Sequence, residues 1–134
     1  MSTSTVSSLN EVGAPLVPDT GRLRILQVSG SASGGIRAHL ADCARILAAD
    51  GHDVIVEAPT TVLDGLDVAP ARAESLEIGP RPSLGDTLAV ARLRRLGRRA
   101  HAVHAHGLRA GALAALALGR RRRGRTRLVV TLHN

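Results

Sequence analysis

The sequence predicts an α/β fold built on an open, doubly wound parallel sheet. Short apolar runs bounded by turn residues alternate with helix-length stretches whose apolar residues recur at helical spacing. The 134 residues suffice for one domain, and 44% of them are hydrophobic. No Phe, Tyr or Trp occurs, so the core must consist of Leu, Val, Ile and Ala, which favours helices packed on a sheet.

The first predicted unit is a strand, a helix and a second strand. Residues 22–29, RLRILQVS, form a short apolar run between turn signals, which is typical of a buried parallel strand. Apolar residues then recur at helical spacing over 36–49, and Gly51 is a natural helix end. Residues 53–59, DVIVEAP, predict the second strand, closed by Pro59. Because the gap between the strands is helix-sized, a right-handed βαβ unit is predicted.

One edge strand and one helix are predicted in the middle of the chain. Residues 60–82 carry scattered turn residues, with a short apolar alternation at Ser75–Ile78 that predicts the edge strand. The helix is predicted from Ser83 to Arg99, with Ser83 as its N-cap. Its predicted apolar stripe consists of Leu84, Leu88, Ala91 or Arg92, and Leu96.

The last part of the chain predicts a strand, a helix and a strand. AVHAH (102–106) reads as a core strand, GLRAGALAALALG (107–119) as an Ala/Leu helix, and LVVTL (128–132) as a further strand. A domain rarely closes on a buried strand that lacks its covering helix, so the sequence is interpreted as a fragment of a longer protein. Residues 1–22, rich in Ser, Thr, Gly and Pro, are predicted to be a disordered leader before a domain at 23–134.

The charge distribution restricts the classes of partner. The net charge is +7, with −4 in residues 1–67 and +11 in residues 68–134, and all 18 basic residues are Arg. A basic half suggests phosphate, an acidic lipid surface or nucleic acid, although a solvated Arg-rich surface is the better explanation for most of these residues. Without aromatic residues there is no stacking platform for single strands, and no recognition-helix motif appears. No nucleic-acid partner is therefore predicted.

Cysteine content and hydropathy favour the cytoplasm. The single thiol, Cys43, excludes an internal disulfide and indicates a reducing compartment. No apolar run approaches the roughly 20 residues of a membrane span. The first 22 residues also lack the basic start and the apolar stretch of a secretory signal.

The segment SGSASGGIRAHL (29–40) joins the first strand to the first helix, where doubly wound sheets bind ligands. Glycines and a helix N-terminus at that point favour an anion. The segment is not a Walker A loop, because Ile36 and Arg37 stand where Lys and Ser or Thr are needed, and it lacks G-x-G-x-x-G spacing. Glu57, at the end of the second strand, keeps a dinucleotide-binding alternative open. A second alternative is a glycine-rich turn that only connects the strand to the helix.

Histidines provide the candidate side chains. His104 and His106 are two apart on a strand, so they point to the same face, at its carboxyl end. H-x-H is also a zinc pattern, but no acidic residue neighbours the pair and Cys43 lies on the apolar stripe of the first helix. His39 and Cys43, at i and i+4, could chelate an ion together, but a Cys that packs the helix is the better explanation. No metal site is therefore predicted. His106 is the predicted functional residue, since a neutral imidazole at the crevice can hydrogen-bond a hydroxyl or a leaving oxygen. His133 is predicted to reach the same crevice.

Three separate blocks resemble family 4 (group 1) glycosyltransferases over about residues 23–134. ILQVSGSASGGIRAHLADCARILAADGHDVIVEAP is similar to their opening strand, Gly-Gly turn, helix and second strand. VHAHGLRAGALAALAL resembles their H-x-H-G strand and helix, and VVTLHN their following T-x-H-N strand. Three matching blocks in the same order are far more specific than any one of them.

The resemblance implies the amino-terminal, acceptor-side half of a GT-B enzyme, in which two Rossmann-like domains enclose the active site. Such enzymes move a sugar from a nucleoside-diphosphate sugar to a sugar, lipid-linked or small-molecule acceptor, with retention and without a metal or other cofactor. The resemblance places Gly34 and Gly35 against the donor phosphates or the transferred sugar, and His106 next to that sugar. Arg37 stands where many members carry Glu, and with His133 it completes the predicted donor-binding set. The donor-binding carboxyl-terminal domain is absent, so this chain alone is expected to be inactive.

The resemblance also implies a membrane partner. Family members that act on lipid-linked acceptors often touch the membrane through a basic surface, and the helix 83–99 with Arg120–Arg123 is the candidate here. A solvated face beside a core stripe is the alternative. The alternative function is a non-enzymatic nucleotide- or anion-binding Rossmann-like module.

Overall fold

A computed structural model describes residues 21–32, 34–119 and 126–133 of the chain. Five parallel strands form one sheet in the order β3-β2-β1-β4-β5, with helices on its faces. The strands are β1 (Arg24–Ser29), β2 (Asp53–Ala58), β3 (Arg72–Ser75), β4 (Ala102–His106) and β5 (Arg127–Thr131). The helices are α1 (Gly34–Ala49), α2 (Thr60–Leu63), α3 (Gly85–Gly97) and α4 (Leu108–Leu118). The predicted α/β class and doubly wound parallel sheet are confirmed, and the fold is Rossmann-like.

Most of the predicted leader, and Arg120–Arg123, lie outside the described residues. Among the helices that are described, none combines the length and the apolar character needed to cross a membrane.

The β1–α1–β2 unit forms as predicted. β1 lies at the centre of the sheet and pairs with β2 and β4, which is why nearly all of its residues are buried. On one face of the sheet α1 packs Leu40 and Ala44 against Val54 and Val56. The helix is followed by Gly51 at φ +96°, a conformation that favours glycine, and its predicted end is confirmed.

The other face of the sheet is covered by α3 and α4. Leu93 and Leu113 of these helices pack with Val28 and Val103 of the strands. Close packing depends on a small residue at Gly111, since a Cβ there would lie 2.8 Å from Val130 Cγ1. α4 therefore sits directly on β5.

The edge strand differs from its prediction. β3 spans Arg72–Ser75, so it ends where the predicted strand Ser75–Ile78 begins. Leu76 and Ile78 are buried, which explains their alternation, but they lie beyond the strand. The last bond between the two segments runs from Leu76 N to Ala58 O, because the chain after β2 enters the helix α2 and Thr60 N is bonded to Glu77 Oε2 instead. The short helix α2 that follows Pro59 was not predicted.

The orientation predicted for α3 is wrong. Leu84 and Leu88, placed on its core stripe, are 91% and 76% exposed. Ala89, Leu93 and Gly97 are buried instead. The small residues let α3 approach α4 closely, since a Cβ at Gly97 would lie 2.7 Å from Leu118 Cδ2. Ser83 is not the N-cap either: Leu84 takes that position, without a side-chain capping bond. Of the predicted stripe, only Leu96 packs against the core.

Candidate active site

The candidate site lies where the carboxyl ends of β1, β4 and β5 meet. Ser29 pairs with His106, and His106 pairs with Thr131, so these three strand ends lie side by side. The connections from β1 and β4 lead to helices on opposite faces of the sheet, because α1 covers one face and α4 the other. A crevice at such a divergence is where open α/β sheets bind ligands. The N-terminus of α1 begins at Gly34, after the β1 connection.

His106 is buried at the carboxyl end of β4, with 2% of its surface exposed. Its Nε2 lies 2.6 Å from Gln27 Oε1, and because an amide oxygen only accepts, Nε2 is the donor. Nδ1 therefore carries a lone pair, and it is buried with no hydrogen-bond partner among the described residues. The pKa of His106 is lowered to about 3, mainly by burial and in addition by His104, His39 and His133. The residue is a neutral imidazole that offers one unused acceptor.

Four histidines form a cluster around this imidazole, and we call His39, His104, His106 and His133 the histidine cluster. The ring centroids of His104 and His106 are 4.1 Å apart, so the two share a face as predicted. His39 reaches across from α1 to within 5.4 Å of His106 and 5.3 Å of His133, measured between centroids. His133 lies 6.2 Å from His106, so the structure brings together the two histidines predicted to share the crevice.

Two neighbours restrict the chemistry of the cluster. His104 Nε2 lies 2.6 Å from Thr131 Oγ1, which ties β4 to β5 through their side chains. Burial lowers the pKa of His104, and His39 and His133 add to the shift. Cys43 Sγ lies 3.5 Å from His39 Nε2, and burial raises the pKa of this thiol, with Asp42 acting in the same direction. The sulfur is thus kept as a thiol.

The glycine pair of α1 is not required by the packing of the chain itself. Neither Gly34 nor Gly35 has a positive φ. In the part of the chain that the structure describes, no heavy atom beyond the chain neighbours and the backbone of α1 lies within 4 Å of a Cβ built at either position. Conformation and internal packing would both accept a side chain here, so the open space in front of the backbone is the distinctive property of this turn.

Comparison with known proteins decides which family this arrangement belongs to. A family model described as a glycosyl transferase 4-like domain matches residues 34–134, which include the glycine pair and the whole histidine cluster. The chain belongs to this glycosyltransferase 4-like family. Searches of curated proteins and of solved structures gave no match. Membership confirms the resemblance seen in the three sequence blocks and makes the protein a transferase with sugar-related substrates.

Two charged residues of this glycosyltransferase 4-like domain have partners inside the fold. Arg37 donates from Nε to Val62 O at 3.0 Å and from Nη2 to Asp64 O at 2.7 Å, so it ties α1 to α2 and the turn after it. Glu57, the candidate ribose ligand of the dinucleotide alternative, is fully buried and accepts a 2.8 Å hydrogen bond from Arg92 Nε. Arg92 also contacts Glu74. The Glu57 carboxylate is committed to this network.

His39 is the site residue that sequence reasoning missed. It was weighed only with Cys43, its neighbour at i, i+4 on α1. The available signal was its position near the start of α1, five residues after Gly34. That end of the helix faces the strand ends that carry His106.

Proposed function

We propose that this chain is the amino-terminal, acceptor-side portion of a retaining GT-B glycosyltransferase. It would help to move a hexose from a nucleoside-diphosphate sugar to a sugar, lipid-linked or small-molecule acceptor in the cytoplasm. The proposal rests on the neutral, buried His106, whose Nδ1 has no partner among the described residues. This residue lies at the carboxyl ends of the strands, where the glycine pair also lies. Family membership supports it at the level of sugar transfer.

His106 is the proposed catalytic residue, in contact with the transferred sugar. Its Nδ1 accepts a hydrogen bond from a sugar hydroxyl, and the Nε2 hydrogen bond to Gln27 keeps the ring in the tautomer that allows this. Because its pKa is far below neutrality, the ring acts as a fixed acceptor and not as a proton donor. Its contribution is to hold the sugar in the geometry of transfer.

Gly34 and Gly35 are proposed to lie against the donor diphosphate. They open a helix of 16 residues, whose first-turn N–H groups and dipole favour negative charge. The open space over both residues lets phosphate oxygens approach the backbone. Donors placed there stabilise the charge that develops on the leaving diphosphate.

His133 and Arg37 complete the proposed donor-binding set. His133 faces His106 across the cluster and would line the sugar side of the crevice. Arg37 is bonded to the carbonyls of Val62 and Asp64, so it enters the proposal as a positioning residue that holds α2 against α1. No metal takes part in this proposed transfer.

Donor binding tests the proposal directly. Amide chemical shifts of the ¹⁵N-labelled chain are followed as UDP-glucose or GDP-mannose is added. We expect shifts at Gly34, Gly35 and Gly107, and their loss in Gly35→Val, whose side chain fills space that is empty. His52→Ala is the matched control, because His52 accepts a hydrogen bond from Leu23 N at the amino-terminal ends of β1 and β2, away from the site. Shifts confined to those amino-terminal ends, or a Gly35→Val chain that binds like the wild type, would contradict the proposal.

A peripheral contact with anionic membrane is a second proposal, supported by the exposed start of α3. Leu84 and Leu88 project from the fold, and Arg81 and Arg95 are exposed near them. Arg92 lies within the predicted basic helix 83–99, but it is engaged by Glu57 and Glu74 and is not part of this exposed basic surface. Apolar side chains flanked by arginines suit the interface of an acidic bilayer.

A further inference from the structure

The histidine cluster has the donor set of a metal site. One ring nitrogen from each of His39, His106 and His133 lies within 4.8 Å of the others. Nitrogens bound to one tetrahedral zinc ion are about 3.4 Å apart, since Zn–N distances are about 2.0–2.1 Å. His39 is exposed on α1 and His133 is half-buried beyond the end of β5, so neither of these two rings is packed in the core.

Unpaired atoms point to a missing partner at this place. Among the described residues, three buried side-chain atoms are without a hydrogen-bond partner: Gln27 Nε2, His106 Nδ1 and His133 Nε2. Two of them are imidazole nitrogens of this set. A buried polar atom left unpaired costs free energy, and a cation held between the two nitrogens would satisfy both.

The contacts behind His106 resemble those that support metal ligands. A metal-bound imidazole usually donates its other N–H to a carbonyl or a carboxylate, which fixes the ring and its tautomer. His106 donates from Nε2 to Gln27 Oε1, and this leaves Nδ1 as the ligand atom. The ring is thus already oriented, and buried, with a lone pair directed away from Gln27.

We propose that His39, His106 and His133 bind a zinc ion, with the fourth coordination position open to water or to a ligand oxygen. Three imidazole ligands without a carboxylate suit zinc, a borderline-soft ion. The site does not depend on the proposed sugar transfer, although the ion and a sugar hydroxyl would compete for His106 Nδ1. Zinc would then act as an inhibitory ligand of the crevice.

A second set, Cys43, His104 and His106, also has its donor atoms within 4.8 Å of one another. It is the weaker candidate, because among the described residues only one of its members, His106, has an unpaired buried nitrogen, and His104 Nε2 is already paired with Thr131 Oγ1. The two sets share His106, so the variants used in the test must separate them.

Zinc affinity tests the assignment. The full chain, without any sugar nucleotide, is titrated with Zn²⁺ against a chromophoric chelator. His39→Ala and His133→Ala change residues outside the core, and each should weaken binding by about 100-fold or more, beyond the 10–100-fold typical of losing a supporting residue. His52→Ala should bind like the wild type, and circular dichroism checks that every variant is folded. Absence of zinc binding, or wild-type affinity in both His39→Ala and His133→Ala, overturns the site.

Cobalt separates the two ligand sets. Co²⁺ in the three-histidine site should give ligand-field bands without a sulfur-to-cobalt charge-transfer band, and Cys43→Ser should leave the spectrum unchanged. A charge-transfer band that Cys43→Ser removes, together with lost affinity in that variant, would reject the three-histidine assignment in favour of the Cys43 set. Because no sugar nucleotide is present, either result leaves the test of donor binding independent.

Discussion

Gln27 Oε1 accepts a 2.6 Å hydrogen bond from His106 Nε2, and this contact joins the central strand of the sheet to the centre of the candidate site. Gln27 is fully buried on β1, where the neighbouring positions are apolar. A buried polar side chain in such a strand is stabilised by its partner. The pair therefore determines which nitrogen of His106 carries the proton.

Replacing Gln27 should change the tautomer of His106. In the wild type we expect the Nε2–H form, read from the ¹⁵N shifts of the imidazole ring. Gln27→Met removes the acceptor, so the Nδ1–H form should appear, and the free energy of unfolding should fall by about 1–3 kcal/mol because a buried N–H loses its partner. Thr131→Val is the control, because it removes a partner of His104 and not of His106. A single unchanged tautomer in Gln27→Met would show that the ring is held by other contacts.

Glu57 should make stability fall as pH rises. The pKa of Glu57 is raised from its ordinary value of 4.5 to about 7, because burial and a hydrogen bond with Glu74 together outweigh the opposing effect of Arg92. The native state thus binds the Glu57 proton more tightly than the unfolded state does. The stabilisation that this proton gives is complete below pH 4.5, and it is lost as the pH rises to about 7.

The comparison with Glu57→Gln isolates this effect, because the amide does not titrate. Chemical denaturation at several pH values should show the wild type losing free energy of unfolding relative to Glu57→Gln, by up to about 1.4 kcal/mol per pH unit across that interval. Glu74→Gln, which changes the partner carboxylate, is measured as a second variant in the same denaturation series. Parallel stability curves for the wild type and Glu57→Gln would mean that Arg92 keeps Glu57 ionised throughout.

Gly111→Ala should destabilise the fold. Its Cβ would lie 2.8 Å from Val130 Cγ1 and 3.2 Å from Val130 Cγ2, so α4 or β5 must move. Overpacking of this kind costs about 1–3 kcal/mol, which exceeds the roughly 1 kcal/mol that alanine gains over glycine inside a helix. Thermal and denaturant unfolding measure the difference. Gly34→Ala, which meets nothing within 4 Å, should be neutral or slightly stabilising, and equal effects in the two variants would refute the packing argument.

Sugar transfer by the 134-residue chain alone should be undetectable. We expect the grip on the nucleotide to lie in the carboxyl-terminal domain that the family resemblance implies, so a donor held in position for transfer is missing when this chain is tested alone. Radiolabelled UDP-glucose and GDP-mannose, each with a mixed acceptor extract, provide the assay, and an active glycosyltransferase run in parallel controls it. Robust turnover that His106→Ala abolishes would show that these residues form a complete enzyme.

Membrane binding should depend on the start of α3. Leu88→Ser and Leu84→Ser should each reduce co-sedimentation with phosphatidylglycerol vesicles by about tenfold, since burying one Leu contributes about 1.5–3 kcal/mol. Leu116→Ser is the matched control, because Leu116 is also exposed but lies on α4. Binding that ignores salt and anionic lipid, or that falls equally in the control, would remove this proposal.

Local patterns predicted the elements that depend on local physics. β4 begins and ends where its sequence indicates, and α4 is bounded by Gly107 and Gly119, both at positive φ. Turn residues and apolar spacing act within a few residues, so they are visible in the sequence. The orientation of α3 depends instead on how closely it approaches α4, and Leu84 and Leu88 fit a helical stripe without facing the core.

In the candidate site, too, local patterns predicted some features, while others depend on packing between distant segments. That His104 and His106 share a face follows from the two-residue period of a strand. That His39 joins them depends on where α1 lies over the sheet, and the two segments are more than 60 residues apart in sequence. The expectation of no metal site was argued from neighbours along the chain, whereas the three-histidine set draws on α1, β4 and the residues after β5.

The contact between Gly111 and Val130 affects more than the stability of the fold. Thr131, the next residue, holds His104 by its hydroxyl, and His133 follows two positions later. α4 lies on the face of the sheet opposite to α1, so the close approach at Gly111 supports β5 from the face that does not carry His39. Mutagenesis limited to side chains near the crevice would omit Gly111, although the proposed zinc site depends on the position of the residues that follow β5.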